Sequence, residues 1–135
     1  MERLHLAQTN NSPEINFSPK ENLFYIRGNS RPEDVREIYN PVISWLKEYM
    51  DFLDGRSLYS EENPLIFEFD FGYFNSSSAK FLYDIMYLLK KFIKSGIFVS
   101  IVWRYEEEDI DMKEAGEDLA LLAEVDIVYI KKVDN

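Results

Sequence analysis

The residues of this chain best suited to chemistry are three consecutive hydroxyls in the run Tyr73-Phe74-Asn75-Ser76-Ser77-Ser78-Ala79-Lys80. The run lies between a strand-like segment, Leu65–Phe71, and a helix-like segment, Ala79–Ser95. An Asn and hydroxyls at the start of a helix make a capping site. The same place favours a covalent phosphate, because the first N–H groups of a helix are unpaired and its dipole attracts negative charge. A phosphoryl group there would add about −1.5 to −2 charges and three acceptor oxygens. Two readings therefore stand side by side, a phosphorylatable switch and a plain helix cap. Lys80 is either a first-turn helix residue or a cation answering the phosphate. Tyr73 and Phe74 either dock a partner beside the serines or pack into the core.

Other chemistry finds little to work with. The chain has one His, His5, and no Cys, so a His-based metal site, a catalytic triad, a thiolate site and a disulfide are not expected. It has no Gly-rich phosphate loop and no G-x-S-x-G. The acidic run Glu106–Asp111, continued by Glu114, Glu117 and Asp118, lacks the pattern of a calcium loop. It reads as a solvated helix start, or as an acidic rim for a basic partner through Asp109 and Asp111. No metal, no cofactor and no enzymatic activity are expected.

The chain has 135 residues, 46% of them hydrophobic and 16% aromatic, which suits one domain spanning 1–135 with a substantial core. A formal charge of −10 argues against nucleic acid and anionic membranes as partners. No apolar run is long enough for a membrane span or a signal core, and a cytoplasmic location is expected.

Several elements must position the serines. Leu4–Ala7, with His5 inside it, Ile15–Phe17 and Leu23–Arg27 read as short strands, and Gly28-Asn29 as the break after them. Ser30 and Glu33 have capping-box spacing, which predicts a helix from Ser30, with Pro32 in its first turn and Pro41 as a kink or an effective start. Leu65, Phe67, Phe69 and Phe71 alternate with Ile66, Glu68 and Asp70, a strand with one apolar face. Leu82, Ile85, Met86, Leu89, Phe92 and Ile93 mark one face of the next helix. Ile97–Trp103 reads as a central strand. A third helix is expected from Asp111, with Met112, Ala115, Leu119 and Leu122 on one face, before a last strand, Ile127–Ile130. Strands alternating with helices predict an α/β fold with right-handed crossovers.

Four stretches, in order, resemble the SiaC family of bacterial regulatory phosphoproteins. They are Ser12-Pro13 with Ile15; Gly28–Glu33 leading to Tyr39-Asn40-Pro41 and Trp45-Leu46; Tyr73–Lys80; and Val102-Trp103 through Asp109, Asp111-Met112 and Glu114–Asp118. The resemblance implies a STAS-like mixed β-sheet with helices mainly on one face, similar to anti-anti-sigma factors. It implies phosphorylation of the hydroxyl after the Asn of the Y-F-N motif, here Ser76, with Ser77 and Ser78 behind it. The implied partners are a protein kinase, a PPM-type phosphatase and a downstream target bound by the unphosphorylated form, by resemblance a diguanylate cyclase of cyclic di-GMP and biofilm signalling. The expected partner-binding residues are Tyr73, Phe74, Asn75, Ser76, Ser77, Lys80, Asp109 and Asp111. The alternative is a constitutive interaction or scaffold domain without phosphorylation.

Overall fold

The computed structural model describes residues 1–133. Strands β1 (Leu4–Leu6), β2 (Glu14–Ser18) and β3 (Leu23–Ser30) are followed by helix α1 (Val35–Leu53) and strand β4 (Leu65–Phe74). Helix α2 (Ser76–Lys94), strand β5 (Val99–Glu106), helix α3 (Ile110–Ala123) and strand β6 (Val128–Lys132) complete the chain. The strands form one six-stranded mixed sheet in the order β1-β2-β3-β4-β5-β6, antiparallel up to β3 and parallel from β3 onward. The expected α/β architecture is thus present, with β4 and β5 paired in parallel. Because every parallel crossover steps one strand the same way with the same hand, all three helices share one face of the sheet.

The alternation in β4 decides that face. Leu65, Phe67, Phe69 and Phe71 are buried beneath the helices, while Ile66, Glu68 and Asp70 point the other way. An aromatic seam crosses the strands: Phe17 lies 5.2 Å from Phe67, Phe67 5.1 Å from Phe69, and Phe69 5.6 Å from Trp103, between ring centroids. Trp45 and Tyr49 of α1 close over Phe17 and Phe24. Each of these rings contributes about 1.5–3 kcal/mol through burial, as do the Leu, Ile and Met side chains packed around them. The open face is covered by its own charged side chains. Arg27 lies over the Tyr25 ring, Lys132 pairs with Asp70 at 2.6 Å, and Arg104 pairs with Glu68 at 2.8 Å.

Several element starts differ from the sequence reading. Gly28-Asn29 is not a break: the β3–β4 register shifts there, with Gly72 of β4 left as the extra residue, Gly28 takes φ +120°, and β3 runs on to Ser30. Ser30 therefore ends a strand and caps nothing. Helix α1 is capped by Asp34, whose carboxylate accepts from the Arg36 N–H, and Pro32 lies outside it. Pro41 lies inside the continuous helix. Helix α3 is capped by Asp109, not Asp111, through the Met112 N–H. Leu122 and Ile93, expected on buried faces, are exposed.

Helix α3 sits close on β5 because position 116 has no side chain. A Cβ on Gly116 would lie 2.6–2.7 Å from three atoms of the Trp103 indole, and the Trp103 Nε1–H donates to the Met112 carbonyl. Gly116→Ala is expected to destabilise the fold by about 1–3 kcal/mol through overpacking. Urea unfolding should show a lower midpoint with an unchanged slope. An unchanged midpoint would mean that α3 lifts off Trp103 without cost.

Candidate phosphorylation and partner-binding site

The parallel strands β3, β4 and β5 run to one edge of the sheet, where they end at Ser30, Phe74 and Glu106. Helices α1, α2 and α3 begin at that edge. The topology therefore brings the Ser76–Ser78 run and the Asp109–Asp111 segment to the same end of the sheet, on consecutive crossovers, though they are more than thirty positions apart in sequence.

Asn75 is the cap of α2. Its side-chain oxygen accepts from the Ser78 N–H at 2.9 Å, and its backbone N–H donates to the Ser30 carbonyl at 3.0 Å. The sequence offered the Asn and the hydroxyls alike as caps; the structure gives the role to Asn75, so the serines form the first turn. There they take different positions. Ser76 and Ser77 are exposed, whereas Ser78 is fully buried. A buried hydroxyl cannot be reached by a kinase in this conformation, which removes Ser78 from the accessible candidates.

Ser78 instead joins a hydroxyl network that neither it nor its partners announce in sequence. Its Oγ donates to the Ser30 carbonyl at 3.1 Å and lies 2.8 Å from Ser30 Oγ, which lies 2.7 Å from the Tyr39 hydroxyl. One proton arrangement satisfies all three groups: Tyr39 donates to Ser30 Oγ, Ser30 Oγ donates to Ser78 Oγ, and Ser78 donates to the Ser30 carbonyl. The network ties the end of β3, the body of α1 and the first turn of α2. Residues 30, 39 and 78 share no local pattern, so no short-range signal could have found it.

The other expected site residues divide. Tyr73 is exposed. Phe74 is half-buried, edge-on to both Phe71 and Trp103. Lys80 is exposed, but it pairs with Asp84 at 3.4 Å and lies 5.0 Å from the Phe81 ring centre, so its charge is already partly answered. Asp109 is engaged in capping, while Asp111 is exposed in the first turn of α3. Among the described residues, no group of three or more His, Cys, Asp or Glu side chains converges as a metal site. Among them also, no helix is long and apolar enough to cross a membrane.

The family model described as SiaC family regulatory phosphoprotein matches residues 6–132. An uncharacterized protein of Pseudomonas aeruginosa is 29% identical over 118 residues, 87% of each chain. Among solved structures, SiaC of Pseudomonas aeruginosa aligns over 98% of both chains with a TM-score of 0.75 and 25% identity. A crystal structure of the diguanylate cyclase SiaD in complex with its activator SiaC, also from Pseudomonas aeruginosa, contains a chain that aligns with a TM-score of 0.78 and 24% identity. That alignment covers 95% of this chain and 97% of the other.

Burial of the Tyr39 hydroxyl makes stability depend on alkaline pH. Burial pushes the Tyr39 hydroxyl up to about 12 from its ordinary value near 10, against the opposing pull of its Ser30 and Ser78 contacts. A folded-state value above the unfolded one means the stabilisation is complete below about pH 10 and lost as pH rises towards 12. Tyr39→Phe is expected to lower stability at neutral pH by about 1–3 kcal/mol, since it removes a buried donor. The same substitution should flatten the fall in stability above pH 10. Urea midpoints of both proteins across that pH range measure both effects.

Proposed function

Because the chain belongs to the SiaC family of regulatory phosphoproteins, we propose that it is a non-enzymatic partner switch whose phosphate acceptor is Ser76. The observation that carries this reading is the separation within the serine run: an exposed hydroxyl on the first residue of α2, with Asn75 doing the capping and Ser78 held in the core. Modification at Ser76 therefore leaves the cap and the buried network in place. The phosphate sits beside the positive end of the helix dipole. It changes the charge of a surface without unfolding what lies beneath it.

In the unmodified state, Tyr73, Asn75, Ser76 and Ser77 offer a nearly neutral patch at the sheet edge, flanked by Lys80, the part-buried Phe74 and the acidic start of α3 at Asp109 and Asp111. A target docks there. A phosphate of about two negative charges, arriving beside those carboxylates, expels it by charge and bulk. The target proposed is a diguanylate cyclase, since the structurally similar SiaC of Pseudomonas aeruginosa is the activator of the diguanylate cyclase SiaD. A cognate protein kinase installs the phosphate and a PPM-type phosphatase removes it, which places the chain in cyclic di-GMP and biofilm regulation.

Ser76→Ala is expected to abolish phosphorylation by the cognate kinase while moving stability by no more than about 0.5 kcal/mol, because this hydroxyl caps nothing. Ser76→Asp should weaken target binding in part, one carboxylate being a poor copy of a dianion. Phosphosite mapping together with binding assays tests both. Modification confined to Ser77 would move the acceptor by one residue. No modification at either serine, with binding indifferent to Ser76→Asp, would leave a constitutive interaction domain.

A further inference from the structure

Helix α3 is apolar on two sides. Its inner side, Met112, Gly116, Leu119, Ala120 and Ala123, is buried against the sheet and α2. At 100° per residue, the opposite side carries Ile110, Glu114, Glu117 and Leu121 in one row and Asp111, Asp118 and Leu122 in the next. All seven are exposed. Leu121, Leu122 and Ile110 are the extreme cases, at 79%, 68% and 62% of their full accessible surface. The acidic residues between them are nearly unanswered. Among the described residues, the one ion pair that these four carboxylates make is Glu117 with Lys113, at 4.0 Å. Helices α1 and α2 differ in degree, since α1 exposes no large apolar side chain and α2 exposes only Tyr87 and Ile93, each by less than half.

We propose that this outer face of α3 is a second docking surface, and that it takes a basic amphipathic helix of a partner protein. The chemistry of the surface selects that occupant. Two apolar anchor points, Ile110 near one end and Leu121 with Leu122 at the other, stand on either side of an acidic strip whose one ion pair among the described residues is Glu117 with Lys113. The matching ligand has apolar residues at the same separation with Lys and Arg between them. A second copy of this chain is disfavoured, because an isologous contact would set acidic strip against acidic strip. Ser76 is not part of this face. The face shares Asp111 with the sheet-edge surface and otherwise runs away from it along α3 to Leu121 and Leu122, and docking that persists when Ser76 is modified is part of the proposal.

The test uses the full chain and a designed helical peptide about five turns long, with leucines at the Ile110–Leu121 spacing and lysines and arginines between them. A control peptide has the same composition in scrambled order. The ordered peptide should bind saturably with amide shifts centred on α3, and the scrambled one about tenfold more weakly. Leu121→Asp with Leu122→Asp should weaken the ordered peptide about tenfold. Glu114→Gln with Glu117→Gln should reduce its salt dependence, and Ser76→Asp should leave its binding unchanged. Circular dichroism confirms that the variants fold. Equal binding of both peptides, or indifference to the leucine substitutions, would reduce the face to a diffuse acidic surface and overturn the proposal. So would self-association of the wild-type chain that the leucine substitutions abolish, since a second copy would then be the occupant. Loss of peptide binding in Ser76→Asp would refute the independence claimed here without touching the assignment of Ser76 itself.

Discussion

The constraint on which the rest of this structure depends is the one-sided burial of β4. Four alternating apolar residues from Leu65 to Phe71 face one way, and Glu68 and Asp70 face the other. A strand of that pattern leaves one face of the sheet to be covered by helices and the other by charge. With same-handed crossovers, every helix must return on the apolar side, and every helix of the parallel half must begin at the same sheet edge. The aromatic seam from Phe17 to Trp103 fixes the depth at which the helices settle. Gly116 shows how small the clearance is where α3 meets Trp103.

That geometry sets what the site can do. The serine run sits at the exposed start of a helix whose next turn is locked to two other elements by the Ser30–Tyr39–Ser78 network. A hydroxyl presented in this way can change its charge without changing its position. The network ties the first turn of α2 to β3 and α1, so a phosphate added at this place would act through the surface a partner meets. The outer face of α3 extends the same economy: one short helix covers β5 with its inner side and leaves a second patterned surface free.

Much of this was legible in the sequence. The order of strands and helices and the inward face of β4 follow from period-two and period-3.6 patterns, and the resemblance to a phosphoprotein family rests on four stretches taken together, the Y-F-N-S-S-S-A-K run and Glu114–Asp118 among them. Capping assignments were less legible. Ser30 with Glu33 and Asp111 with Glu114 have the spacing of capping boxes, yet Asp34 and Asp109 hold the helix starts. Capping spacing is short and common, and the register shift between Gly28 and Asn29, taken up by Gly72 of β4, lets β3 continue past the point where the pattern suggests an ending.

The sequence by itself determined which residues are apolar at which period, and therefore the buried side of β4 and most of the buried side of α2, because that preference is local and additive. It also determined that three hydroxyls follow an Asn at a helix start. Only the tertiary structure decided which hydroxyl is reachable. Ser78 is withdrawn from solvent because Ser30 and Tyr39, 48 and 39 positions earlier, meet it in the core. Only the tertiary structure, likewise, left Leu121 and Leu122 uncovered, since α3 is the last helix in the layer and nothing among the described residues packs on its far side. Local chemistry proposes the partners of a polar or apolar group, but burial and long-range contact choose among them.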